Sequence, residues 1–177
     1  MRCRVAGLAV AASSLLGGCT WFQSNAMVTP PICDPSAFAQ AAVLPLPPAA
    51  ATRARPRKGV PLKVASSFPV GGGVNDIGSW TTMEEGVSAW RLRLVSANAK
   101  SMALHLKPFD LSDGTQLWLC TPDGDKQGPF TGKGPSGISE LWSPALTGSE
   151  LWVEVIAADK QRSDIQLGLK EVFAAFR

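Results

Sequence analysis

The sequence predicts an all-β fold over residues 61–177, an antiparallel β-sandwich of jelly-roll-like type. Apolar residues recur there at every second position, as in "SAWRLRLVS", where Trp90, Leu92 and Leu94 share one face and Arg91 and Arg93 the other. Turn-forming clusters break the alternation at roughly ten-residue intervals. No stretch keeps a 3.6-residue period long enough for a major helix. Each such strand buries one face, so a second sheet is needed to cover it.

Residues 1–18, MRCRVAGLAVAASSLLGG, stand apart from that domain. Arg2 and Arg4 precede an uncharged run from Val5 to Leu16, shorter than the ~20 residues of a membrane-spanning helix. A basic start, a short apolar centre and a small-residue end describe a secretory signal peptide. Leu16-Gly17-Gly18-Cys19 resembles the lipobox of bacterial lipoproteins, which implies that Cys19 is diacylated and becomes the mature N-terminus. An ordinary signal peptide with a cysteine near its cleavage site is the plainer alternative. One acyl chain binds a membrane marginally and two or more hold it stably, so palmitate and its like on Cys19 make the protein membrane-anchored. Thr20 stands where the inner-membrane retention signal has Asp, which points to an outer-membrane lipoprotein facing the periplasm or the cell exterior.

Residues 19–60 read as a lipidated N-terminus and disordered linker. "TPPICDPSAFAQAAVLPLPPAAATRARPRKG" is rich in proline and alanine, and proline removes backbone donors, so no sheet or long helix is expected to run through it. "PSAFAQAAVL" has room for a helical turn or two. Fully extended, roughly 40 residues of such a spacer reach on the order of 100 Å. With Cys3 in the signal peptide and Cys19 lipidated, Cys33 and Cys120 remain. In an oxidising compartment they are candidates for one disulfide, the alternative being a lone buried thiol at Cys120.

The charge map argues against nucleic acid as a partner. Of 17 Lys and Arg, two lie in the signal and four in the knot Arg53, Arg55, Arg57 and Lys58. Residues 61–177 keep 11 basic against 13 acidic residues, a net −2 with no basic groove. The knot reads as solvated linker or as a patch lying against anionic lipid.

Along the domain the strands follow in order. In "SMALHLKPF" Met102, Leu104 and Leu106 oppose Ala103, His105 and Lys107; "TQLWLCT" comes next. In "ELWVEVIA" Leu151, Val153 and Val155 oppose Trp152, Glu154 and Ile156, and "DIQLGLKEVFAAF" keeps Ile165, Leu167 and Leu169 in phase. Turns fall at Ala97-Asn98, Ser112–Gly114, Pro122–Gly124, Gly132–Gly137, Thr147-Gly148 and Asp159–Ser163. Asp110 with Asp113, and Asp123 with Asp125, read as turn chemistry, since the rest of a calcium loop is missing; no metal or cofactor is expected. Trp90 is in phase with the core. Trp118 and Trp152 are out of phase with Leu117/Leu119 and Leu151/Val153, so they need cover from a second layer or from a partner. They are the candidate binding surface, whether for a protein or for a stacked sugar.

"SAWRLRLVSANAKSMALHLKPFDLSDGTQLWLC", "ELWSPALTGSELWVEVIA" and "IQLGLKEVFAAFR" resemble, in this order, the non-catalytic domain that precedes the peptidase domain in secreted bacterial trypsin-like serine peptidases of the lysyl-endopeptidase type. Trp90, Phe109, Leu111, Gly114, Leu117, Trp142, Pro144, Gly148, Glu150, Val153, Glu154, Val172, Phe176 and Arg177 occupy that pattern's places, across about residues 60–177. The resemblance implies a module that assists, holds or positions a serine peptidase. The chain departs from the pattern at Arg177, after which a catalytic domain would follow. A triad needs His, an acid and an activated Ser together; the single histidine, His105, reads as a solvent-facing strand residue, and "GPSGIS" around Ser136 lacks the spacing of a nucleophile elbow. The expectation is therefore no enzyme, but a membrane-anchored module for protein interaction. The alternatives are a carbohydrate-binding module on the cell envelope, with Trp118 and Trp152 as platforms, or the remnant of a truncated peptidase gene.

Overall fold

The structure, a computed structural model, describes residues 31–49, 59, 63–83 and 86–177. Cys19, the signal peptide and the basic knot at residues 53–58 lie outside the described residues. Two sheets face each other across one apolar core. The first contains β1 (Ala42–Leu46), β3 (Ser79–Thr82), β4 (Val87–Ser96), β6 (Gln116–Cys120), β7 (Lys126–Phe130) and β10 (Glu150–Ala158). Its order is β1–β4–β10–β6–β7, with β3 also on β4. The second contains β2 (Ala65–Gly73), β5 (Ser101–Asp110), β8 (Leu141–Trp142), β9 (Leu146–Thr147) and β11 (Gln166–Ala175). It runs β2–β11–β5–β8, with β9 also on β5. The all-β sandwich is as the alternation predicts.

The in-phase residues form the core. Leu92 and Leu94 of β4, Leu117 and Leu119 of β6 and Val153 and Val155 of β10 meet Met102, Leu104 and Leu106 of β5 and Val172 of β11. Trp90 joins them, its indole Nε1 donating to the Ile77 carbonyl at 2.9 Å. Gly78 makes room for that ring: its φ is +79°, and a Cβ there would lie 2.4 Å from the indole.

The expected boundary at residue 61 moves. The folded body begins at Pro31, and residues 31–49, expected to be linker, belong to it. Asp34 caps the one-turn helix α1 (Pro35–Phe38), and the Ser36 hydroxyl foremost, then the Ser36 N–H, donate to its carboxyl and hold it below the usual range. Strand β1 then pairs in parallel with β4, from Ala42 opposite Leu92 to Leu46 opposite Ser96. The proline argument fails for a positional reason. Pro35 occupies the first helical turn, where its missing N–H costs nothing, and Pro45 lies on an edge strand with one side unpaired.

His105 is a second correction. Its place in β5 puts it on the outer face of the second sheet, as the alternation says, yet the residue is only 3% exposed. The Trp142 ring lies over it.

Candidate binding surface

The two outer faces of the sandwich differ. On the first sheet, β4, β10 and β6 turn Arg91, Arg93, Glu154, Trp152, Trp118 and Cys120 outward. A charge pair lies among them: Arg91 Nε donates to Glu154 Oε1 at 2.7 Å, and Glu154 is fully buried. Such a pair is tolerable only where its remaining bonding capacity is met. The N-terminal segment meets it. The Cys33 N–H donates to Glu154 Oε2 at 2.7 Å, and the Phe38 ring lies beneath the Arg91 guanidinium, 5.9 Å from its centroid.

The same segment lies across the Cys120–Trp152 part of that face like a strap. Phe38 stacks on Trp152 with centroids 4.6 Å apart and planes within 12°. Cys33 and Cys120 form a disulfide with Cα atoms 6.1 Å apart, and Lys126 Nζ donates to the Ile32 carbonyl at 3.0 Å. Trp118 packs half-buried against this cluster. Beside it Glu150 takes 2.6 Å bonds from Arg93 and from the Trp152 indole. Burial pushes the Glu150 carboxyl up, but those two bonds outweigh it and hold it below the ordinary range; Arg93 is raised in turn. Trp152 is left 7% exposed. The cover its phase demands comes from this chain, so Trp152 is not an open platform.

The outer face of the second sheet is built differently. Trp142 of β8 stands opposite His105 of β5, and the two rings stack at 3.8 Å and 16°. The indole hides the imidazole and keeps its own far side open: Trp142 is 58% exposed. Phe173 of β11 lies 5.6 Å from it at a tilt of 31°. Glu140 fastens the group. Its Oε1 meets His105 Nε2 at 2.5 Å and the Trp142 Nε1–H at 3.2 Å, and its Oε2 accepts from Lys107 Nζ at 3.1 Å. These donors, Lys107 foremost and then His105, hold the Glu140 carboxyl at about 2. His105 Nδ1 is buried without a hydrogen-bond partner among the described residues. Next along the face, Glu171 accepts from the Ser67 hydroxyl.

Of the residues predicted from sequence, Cys33 and Cys120 are brought together, Trp118 and Trp152 gather on the strapped face, and Cys19 is outside the described residues. In the sequence, Trp142 stands out only as one place of the pattern that carries the family resemblance. A two-residue strand gives periodicity nothing to read, and the one available signal was an indole beside Pro144. No protein-family model matches the chain, and no curated protein matches it.

Proposed function

We propose that this chain is a membrane-anchored, non-catalytic β-sandwich module that binds a partner at the bacterial cell envelope. One observation carries the binding part of this reading: among the described residues, the N-terminal strap covers much of one sandwich face, while the other carries a fixed, open tryptophan. Aromatic rings in that setting anchor interfaces, because they bury much area at little conformational cost. The anchoring rests on the lipobox-like Leu16–Cys19 stretch. The absence of catalysis is supported by His105, whose Nε2 is engaged by Glu140 and whose ring is shut beneath Trp142. A general base must reach the proton it removes.

The sequence resemblance supports a protein, a trypsin-like serine peptidase, as the partner. Trp142 favours a second reading, a saccharide, with this open ring as the platform and not the expected Trp118 and Trp152. Solubilising the full-length protein from membranes and identifying what co-purifies tests the first. A serine peptidase retained in stoichiometric amount is the expected result. Hydrolysis of a peptide ester by the purified chain alone contradicts the non-catalytic reading.

A further inference from the structure

The outer face of the second sheet carries a second feature beside Trp142. Two residues of β5, Lys107 and Pro108, stand opposite the single residue Gly168 of β11, as a bulge does. A Cβ on Gly168 would lie 2.6 Å from the Lys107 carbonyl, and one on Gly73 would lie 2.5 Å from the Leu167 carbonyl. Only glycine fits at either place, and β2 adds Gly71 and Gly72. The face therefore has a stretch floored by backbone, an open groove of about 450 Å³ with Lys107, Lys170, Gln166, Asn75 and Asp76 among its lining. That volume is in the usual range for small-ligand sites, about 300–1,000 Å³. Lys107 belongs to both features, since its ammonium bonds Glu140, which holds the Trp142 indole.

We propose that platform and groove form one saccharide-binding site, with Trp142 stacking against the apolar face of a pyranose. This rests on the binding-module reading and names the ligand class. A pyranose with equatorial hydroxyls has a flat face of C–H bonds and a polar rim. The C–H face suits the negative face of an indole that lies flat, and the rim needs charged and amide groups at the ring's edge. Trp142 is fixed for this on two sides, by the stack on His105 and by the bond to Glu140, so little side-chain freedom is lost on binding. Lys107 and Glu140 present hydrogen-bonding groups at the indole's edge. The groove continues the site with lysines, amides and an aspartate set among apolar residues such as Val74 and Ile165, a mixed lining that matches the mixed surface of a sugar. Phe173 widens the aromatic floor on the other flank.

The test uses the full-length protein in detergent. One arm is electrophoresis through gels containing hydroxyethylcellulose, a neutral β-linked glucan; the other is co-sedimentation with purified peptidoglycan sacculi, an N-acetylhexosamine polymer. Binding in at least one arm is expected. Trp142→Ala weakens it by about ten-fold or more, Trp142→Phe by less, and Lys160→Ala, outside the site, not at all. Near-ultraviolet circular dichroism and the melting temperature show that each variant is folded, and Trp142→Phe decides the matter should the alanine variant fail to fold. No binding in either arm, or binding that neither Trp142 variant changes, overturns the proposal. A protein partner retained while both polysaccharides are ignored overturns it too, and leaves the binding-module reading intact.

Discussion

Glu154 shows at the scale of one residue how the strapped face is held. Its carboxylate is fully buried, and among the described residues Arg91 and the Cys33 N–H are its hydrogen-bond partners. Glu154→Ala leaves a buried guanidinium without its partner, and urea denaturation should show a loss of about 3–5 kcal/mol. A loss below about 1 kcal/mol, the range of exposed ion pairs, contradicts the burial described. Glu140 makes a pH prediction. Its folded carboxyl is held at about 2 against an ordinary 4.5, so its contribution is complete above 4.5 and disappears as the pH falls towards 2. Between those limits the melting temperature of the wild type should fall more steeply than that of Glu140→Gln, and equal slopes sink the assignment. His105 marks what one residue's context hides. Alternation placed it on the outer face correctly, but a distant two-residue strand decides whether an outer position is wet.

Among elements, the strap was the least legible in the sequence and β4, β5, β10 and β11 the most. Those four strands alternate over nine or ten residues each, long enough for the period to be read. The strap holds a four-residue helix and a five-residue strand containing a proline, and its pairing partner lies about fifty residues away. Trp118 and Trp152, out of phase and calling for cover, and the candidate Cys33–Cys120 disulfide are the sequence's hints that something lies over the first sheet. The disulfide joins the strap to β6 across 87 residues. Replacing Cys33 and Cys120 together by Ser should cost about 2–5 kcal/mol and raise acrylamide quenching of tryptophan fluorescence as Trp152 loses its cover. Phe38→Ala should cost a comparable ~3–5 kcal/mol with the disulfide intact. Unchanged quenching in both variants contradicts the strap's role as the cover.

For the whole molecule, the strap shortens the tether. If lipid is on Cys19 and the body starts at Pro31, twelve residue steps separate them, and no chain conformation carries those further than about 43 Å. On that proposal the spacer's greatest reach is less than half of the roughly 100 Å that forty extended residues would give. The basic knot falls in chain order between β1 and β2, and so not in the stretch between Cys19 and Pro31. Labelled palmitate should appear on the wild type and be lost in Cys19→Ala, which should leave the membrane fraction; label that persists in the variant contradicts the anchor. The fold class was legible because sandwich strands announce their period. The open face was not, because it depends on which side the chain covers with its own N-terminal segment. The most direct measurement of that asymmetry places a photoreactive amino acid at position 142 or at position 118 of the full-length protein in intact envelopes and compares the adducts. Crosslinks to another molecule from 142 and none from 118 are predicted, and adducts from 118 alone, or from neither, contradict the account.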